Sequence, residues 1–312
     1  MINSKIYTNV SYYDENMQLI NSTMYTENET VYVKKPLQIN QLKFLEKRNK
    51  LQEFTSSLGG FVHISYVNDE LLFNKTNLKV ADICRLIYLS TYLGHHIRTN
   101  NMLVNYINAR KITPMSKDDM QKKLNLKDRA FSNFIREVKK ENILIEEEGK
   151  YYLSEVYFKK GEYKKLENEG YSRVFINTTR FLYENCKPTQ HKILGYIFRL
   201  IPYIHYESNR ICFNPSCEEF ENVKEMNLKD ICKLLGISSE DGNRTKLKKK
   251  LLSFSIKYKG ENCCLLAYNT ITINNNTKEY FSVNPFVIYK GNDMNSIKKL
   301  LKSDFSKEFD II

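Results

Sequence analysis

Alternation of apolar and polar residues dominates the first part of the chain. Over residues 4–35 this alternation predicts a hairpin-like arm, with strands at 6–13 and 31–33 on either side of a polar turn. Residues 37–54 carry apolar residues among charged ones and predict a helix, which ends before the glycine pair at 59–60.

One longer pattern occurs twice. Residues 115–126 read Met-Ser-Lys-Asp-Asp-Met-Gln-Lys-Lys-Leu-Asn-Leu, and residues 226–237 read Met-Asn-Leu-Lys-Asp-Ile-Cys-Lys-Leu-Leu-Gly-Ile. Each copy has apolar residues at matching places and is followed by a basic, helix-prone stretch, at 128–141 and at 242–254. The repeat therefore predicts two related units, each with a short helix, a tight turn and a basic helix.

The ends of the short helices carry specific signals. Ser116 and Asn227 stand where an N-cap is expected, and an aspartate follows each of them three positions later, as in a capping box. Asn125 and Gly236 stand at the turns, where a left-handed backbone conformation is required.

Further elements surround both copies. A helix with apolar residues at helical spacing precedes each one, at 78–93 and at 191–203. A β-hairpin follows each one, at 143–158 and at 265–289. The order of elements predicts a mainly α fold with small β-hairpins (α+β), in which two tandem winged helix-turn-helix domains follow an N-terminal β arm and helix.

These elements set the expected domain boundaries. Residues 1–60 form the arm and its helix, 61–162 the first winged-helix domain and 171–292 the second. Residues 163–170 are a charged linker. Residues 293–312 form an exposed C-terminal tail helix.

Composition narrows the class of partner. The 312 residues have a net charge of +12 and a pI near 9.1, which favours a polyanion, either nucleic acid or an acidic membrane surface. Frequent Asn, Lys, Ile and Tyr also fit an AT-rich genome, so the position of the charges says more than their sum.

No apolar run reaches the roughly 20 residues of a membrane helix, and no signal-peptide core is present. We expect a cytoplasmic protein without a membrane partner.

Catalytic and metal-binding motifs are lacking in the sequence. The seven cysteines include no Cys-x-x-Cys pair, and Cys212 with Cys217 has no second ligand pair at zinc-finger spacing. The five histidines are scattered, and no zinc-protease, phosphate-loop or nucleophile-elbow motif is present. We expect no catalytic residue, no metal, no cofactor and no enzymatic activity.

The first basic helix has two faces. Its apolar stripe consists of Phe131, Phe134, Ile135 and Val138. Arginine suits guanine and asparagine suits adenine in the major groove, and the candidate DNA-binding residues are Arg129, Asn133, Arg136, Lys139 and Lys140. The alternative is an amphipathic surface helix whose charges are only solvated.

The second basic helix is more strongly charged. It contains five basic side chains and no acid between Asn243 and Leu252, and Leu247 and Leu251 mark its buried face. Crowded like charges destabilise a helix, and a phosphate backbone offsets that cost by releasing counterions. The candidate residues are Asn243, Arg244, Lys246, Lys248, Lys249 and Lys250. The alternative is a general lysine bias of the chain.

The end of the second unit reads Asn284-Pro285-Phe-Val-Ile-Tyr-Lys290-Gly291. Together with the order of elements, it resembles the RepL-type replication proteins of Gram-positive plasmids and the related winged-helix proteins of their phages. The first unit departs from this ending, with Ser154-Glu155 in place of Asn-Pro. The resemblance implies a DNA-binding protein of a mobile element.

The sequence thus predicts a sequence-specific, double-stranded-DNA-binding protein whose two basic helices enter successive major grooves. The resemblance implies a replication initiator that binds repeated origin sites. A transcriptional regulator of a phage or mobile element is the alternative within this class, and a protein-interaction scaffold is the alternative outside it. A homodimer, and contacts with host replication or transcription proteins, stay open.

Overall fold

In a computed structural model of the chain, the structure describes residues 7–13, 19–26, 39–67, 70–71, 76–94, 99–107, 111–161, 169–273 and 276–307. By their contacts, the residues fall into two compact units, Met1–Gln52 and Glu53–Ile312.

The first unit contains the arm. Strands β1 (Tyr7–Tyr13) and β2 (Leu19–Thr26) pair antiparallel, so the second strand of the hairpin precedes the position expected from the sequence. The strand expected at 31–33 lies outside the described residues. Helix α1 (Ile39–Ser57) follows the arm and continues past the unit boundary.

The second unit has two halves. The described elements of the first half are β3 (Phe61–Val67), β4 (Glu70–Leu71), α2 (Val80–Ser90), β5 (Val104–Tyr106), β6 (Ile112–Pro114), α3 (Lys117–Leu124), α4 (Asp128–Lys140), β7 (Leu144–Glu147), β8 (Lys150–Leu153) and β9 (Phe158–Lys159). Those of the second half are β10 (Glu169–Phe175), α5 (Ile176–Glu184), α6 (His191–Arg199), α7 (Leu228–Leu234), α8 (Asp241–Leu251), β11 (Ser255–Tyr258), β12 (Glu261–Cys264), β13 (Leu266–Ile273), β14 (Asn276–Val283), β15 (Ile288–Tyr289) and α9 (Met294–Phe305).

One antiparallel sheet is built from both halves. Strand β3 of the first half pairs with β10 of the second along their whole lengths, with His63 opposite Arg173. The outer strands β9 and β4 pair with β3, and β15 pairs with β10. The two halves therefore share a sheet and a single core.

This sheet overturns the predicted fold class. The chain does not form two tandem winged-helix domains, each with its own core and joined by a linker. The structure is a mixed α+β fold with several antiparallel sheets, and residues 53–312 form one compact unit. The prediction of two separate domains was wrong because it rested on a local sequence repeat. Such a repeat carries no information about which strands pair across the halves.

The two halves repeat the same hydrogen bonds around the shared sheet. The buried Asn101 side chain donates to the carbonyl oxygens of Leu153 (3.0 Å) and Phe158 (2.6 Å). The buried Asn209 side chain donates in the same way to those of Val283 (3.0 Å) and Ile288 (2.7 Å).

The backbones of the halves match as well. Both asparagines adopt the left-handed conformation, with φ of 52° and 51°. Adjacent antiparallel strands are related by local two-fold axes perpendicular to the sheet. Since β9 pairs with β3 as β15 pairs with β10, an approximate two-fold axis passes through the sheet at the His63–Arg173 pair.

Helices α2 and α6 pack together and close the core between the halves. Their buried apolar residues recur at helical spacing, as expected from the sequence. The approach is close, because a Cβ atom on Gly195 would lie 2.2 Å from the carbonyl oxygen of Val80. Glycine at this position lets the two helices meet.

The C-terminal helix is not exposed, which corrects the expectation for the tail. Its residues Met294, Ile297, Leu300, Leu301 and Phe305 are buried. Asp304 is buried as well and accepts hydrogen bonds from Ser282 Oγ and from Tyr280 Oη (3.3 Å), while Arg210 Nε lies 3.8 Å from it. Helix α9 is therefore part of the core of the second half.

We expect Asn209→Ala to lower the free energy of unfolding by roughly 2–4 kcal/mol, because it leaves two buried carbonyls without donors and an alanine in a left-handed conformation. Asn101→Ala should have a similar effect. The control is Asn262→Ala, at an exposed position, which should change stability by less than about 0.5 kcal/mol. Urea unfolding measures all three, and equal stabilities would contradict the proposed role of these asparagines.

Two buried histidines predict a dependence of stability on pH. Burial, with Arg173 nearby, lowers the pKa of His63 from 6.5 to about 4, and burial, with Arg85 nearby, does the same for His191. The unfolded chain then takes up protons first as the pH falls, so stability is constant above the unfolded pKa and is lost between 6.5 and about 4.

Between pH 7.5 and pH 5, each histidine should account for a loss of about 2 kcal/mol. Replacing His63 with Gln should remove its share of that loss, which urea unfolding at the two pH values measures. An unchanged difference in His63→Gln and His191→Gln would show that these residues do not cause it.

Candidate nucleic-acid interface

Helices α3 and α7 begin with the capping boxes expected from the sequence. Asp119 Oδ2 accepts from the Ser116 backbone N–H (3.0 Å), and Ser116 Oγ accepts from the Asp119 N–H (3.1 Å). These bonds hold the pKa of Asp119 below its usual value. Asn227 and Asp230 make the equivalent reciprocal bonds.

The turns after both helices are also confirmed. Asn125 has φ of 51° and Gly236 has φ of 66°, both in the left-handed region. Each turn redirects the chain into the basic helix that follows, α4 in the first half and α8 in the second. The sequence therefore identified both helix pairs correctly.

Four of the five candidate residues on α4 form one exposed stripe. Phe131, Phe134, Ile135 and Val138 are buried, and the side of the helix opposite to them carries Arg129, Asn133, Arg136 and Lys140, all exposed. Their spacing of i, i+4, i+7 and i+11 aligns them along the helix axis. We call this set the α4 stripe.

The α4 stripe contains no acidic residue. Arg136 makes an ion pair with the neighbouring Glu137 (3.0 Å), which lies beside the stripe. The pair is solvent-exposed and therefore weak, so the guanidinium stays available to a stronger acceptor.

Lys139 lies apart from the stripe. Its ammonium group pairs with Glu146 of β7, and its Nζ atom lies 5.7 Å from the centre of the Tyr151 ring. Lys139 therefore links α4 to the β7–β8 hairpin, a contact that the helical pattern does not predict.

The candidate residues on α8 divide into two groups. Lys246, Lys249, Lys250 and Asn243 are exposed, and Leu247 and Leu251 are buried on the other side. Arg244 instead pairs with Asp241, and Lys248 Nζ lies 3.0 Å from the centre of the Tyr268 ring. We call the exposed group the α8 face.

Arg244 and Lys248 border an open cavity of about 1250 Å³. Asn227, Lys229 and Lys278 also line it, but so do four acidic residues: Glu221, Glu225, Asp241 and Glu279. This mixture of charges is a poor match for a phosphate backbone, so the α8 face is the better candidate for an anionic partner.

Lys192 is a basic residue that the sequence reading missed. It belongs to α6, and together with Lys246 and Lys250 it lines a groove of about 610 Å³ beside the α8 face. The apolar spacing of α6 predicts a core helix, and most of this helix is buried. Lys192 lies on its exposed side, which only the structure shows.

The β7–β8 hairpin differs from a phosphate-binding tip. Its turn has Glu148 and Gly149 at φ of 50° and 72°, and Glu146 and Glu147 precede it. This acidic tip disfavours contact with DNA phosphates. The tip between β13 and β14 includes residues 274–275, which lie outside the described residues.

No protein-family model, curated protein or solved structure matches the chain. Among the described residues, none of the helices is long and apolar enough to cross a membrane. The same residues bring together no group of three His, Cys, Asp or Glu side chains that could hold a metal ion.

Proposed function

We propose that the protein binds double-stranded DNA through the α4 stripe and the α8 face. The observation that carries this proposal is the α4 stripe, in which three cations and one amide point away from the core in a line without an acidic residue. Such a line fits the chemistry of a major groove, where bases lie between two phosphate backbones.

The residue types fit both parts of this task. Arginine can contact guanine with two parallel hydrogen bonds, and asparagine can do so with adenine. The lysines of the α8 face suit phosphate contacts, and the release of counterions offsets their mutual repulsion on the helix. Arg129, Arg136 and Asn133 are therefore proposed to read bases, and Lys140, Lys246, Lys249 and Lys250 to contact phosphates.

The approximate two-fold axis supports a single site for the whole chain. A two-fold axis perpendicular to a sheet keeps equivalent elements on the same side of that sheet. From the strand pairing we therefore infer that the α3–α4 pair and the α7–α8 pair are related by the axis and lie on one side of the shared sheet. Proteins with two-fold symmetry bind sites with matching symmetry. One chain would then contact two half-sites in inverted orientation, which differs from the tandem reading of successive grooves expected from the sequence.

The proposed role is that of a replication initiator of a plasmid or phage, acting in the cytoplasm. The support is the resemblance of the Asn284-Pro285 ending to that of the RepL-type replication proteins. In the structure, Asn284 makes hydrogen bonds that hold this segment in place. Asn284 donates to the Cys264 carbonyl (2.9 Å) and accepts from the Phe286 N–H (2.9 Å), so it fixes the chain entering β15. In the first half, Ser154 Oγ accepts from the Val156 N–H (3.4 Å) at the corresponding place.

The test uses two triple variants: Arg129→Gln/Arg136→Gln/Lys140→Gln and Lys246→Gln/Lys249→Gln/Lys250→Gln. Binding to duplex DNA from the protein's own gene neighbourhood is measured by fluorescence anisotropy at several salt concentrations. Each lost phosphate contact should reduce the slope of log K against log salt by about 0.9. We expect weaker binding in both variants, with the larger loss of slope in the α8 variant.

The matched control is Lys298→Gln/Lys299→Gln/Lys302→Gln, which removes three charges from the exposed side of α9. It should bind DNA as the unmodified chain does. If both interface variants keep the original affinity and salt slope while remaining folded, the proposal fails, and a protein partner becomes the better explanation of the basic helices.

A further inference from the structure

A second basic site lies away from α4 and α8. It is a cavity of about 690 Å³ that neither helix lines. Its walls come from both halves: Tyr106 and Lys160 from the first, and Ile176, Asn177 and Arg180 of α5 from the second, with residues 59–61 beside them. We call it the Lys160–Arg180 cavity.

Two cationic side chains, Lys160 and Arg180, line this cavity. Of the described residues that line it, none is acidic. Lys160 Nζ donates to Tyr106 Oη (3.2 Å), and Arg180 donates to Thr91 Oγ1 (3.0 Å) and to the Thr91 carbonyl (2.8 Å). In the part of the chain that the structure describes, their partners are neutral groups and aromatic rings.

The partly buried position of Lys160 near Arg180 disfavours the charged form of its ammonium group. Burial and the nearby Arg180 lower its pKa from 10.5 to about 8. A bound anion would stabilise both cations at once, because an opposite charge favours their charged forms.

Both cations keep donors for a ligand. An ammonium group has three N–H donors and a guanidinium has five, and the hydrogen bonds to Tyr106 and Thr91 use only some of them. Ile176 and Asn177 of α5 line the same cavity. Their backbone N–H groups already donate to the carbonyls of Gly60 (3.1 Å) and Leu58 (3.0 Å), so the Asn177 side chain is the donor that this helix offers. Several donors around one space suit the oxygen atoms of a phosphate group.

The other half of the molecule offers an internal comparison. Lys290 follows β15 as Lys160 follows β9, so the two lysines are equivalent under the approximate two-fold axis. Lys290 Nζ donates to the Pro202 carbonyl (2.9 Å) and lies 4.6 Å from the centre of the Tyr66 ring. Lys160 also has a ring beside it, that of Tyr106 at 5.1 Å, but Lys160 borders the cavity as well.

We propose that the Lys160–Arg180 cavity binds a small phosphate-bearing molecule. Lys160 and Arg180 would neutralise the phosphate, and Asn177 would donate a further hydrogen bond. Because residues of both halves line the cavity, the ligand would bridge the halves and stabilise the Glu53–Ile312 unit.

Isothermal titration with inorganic phosphate, pyrophosphate and ATP tests this site in the full chain without DNA. We expect saturable binding of at least one probe, weakened at least tenfold in Lys160→Gln and kept within a few-fold in Lys160→Arg. Lys299→Gln, which removes a charge from the exposed side of α9, should bind as the unmodified chain does. Tighter binding of ATP than of pyrophosphate would identify a nucleotide, and the reverse would identify the free anion.

Three results would overturn the proposal. They are no saturable binding of any probe at millimolar concentration, equal weakening in Lys299→Gln and Lys160→Gln, and weaker DNA binding in Lys160→Gln with unchanged probe binding. The last result would make the cavity a contact for DNA phosphates. Since the titration contains no DNA, failure of the proposed DNA-binding function leaves its outcome unaffected.

Discussion

The antiparallel pairing of β3 with β10 constrains every other element of the Glu53–Ile312 unit. Seven residue pairs join the strands, from Phe61 with Phe175 to Val67 with Glu169. Two domains on a linker could rotate independently, but two halves that share a sheet cannot. The helix pairs α3–α4 and α7–α8 are therefore held in one fixed relation. A surface that is already ordered loses less entropy on binding, so this rigidity favours the proposed use of both helix pairs on one duplex.

The two halves differ at their shared centre. His63 and Arg173 occupy equivalent positions opposite each other, and only Arg173 carries a charge near neutral pH, because burial lowers the pKa of His63. Arg173 Nη2 donates to the Lys290 carbonyl and to Asn292 Oδ1, each at 3.0 Å. The halves differ again at the two equivalent lysines. The Tyr66 ring lies against Lys290, whereas Lys160 lies beside the Tyr106 ring and also borders the cavity. Equivalent backbones thus support different chemistry in the two halves.

Local features could be predicted from the sequence, whereas long-range contacts could not. The capping box at Ser116, the left-handed turn at Asn125 and the exposed side of α4 depend on residues close together in the chain, so pattern alone identified them. The β3–β10 pairing joins residues more than 100 positions apart, and no local pattern encodes it. The cavity at Lys160 depends on the same packing of the two halves. The ion pair of Lys139 with Glu146 joins residues only seven positions apart, but it depends on the turn between α4 and β7, which the helical pattern does not specify. The prediction of two tandem winged-helix domains was wrong because it did not include the long-range pairing of β3 with β10.

The most direct test of the central claim is selection of duplexes from a random DNA library by the full chain, followed by hydroxyl-radical footprinting of the selected sites. A fixed two-fold arrangement predicts that one chain protects two half-sites in inverted orientation, at a constant spacing near a whole number of helical turns of about 10 base pairs. Selected sites with a single contiguous element, half-sites at variable spacing, or no enrichment would contradict the account.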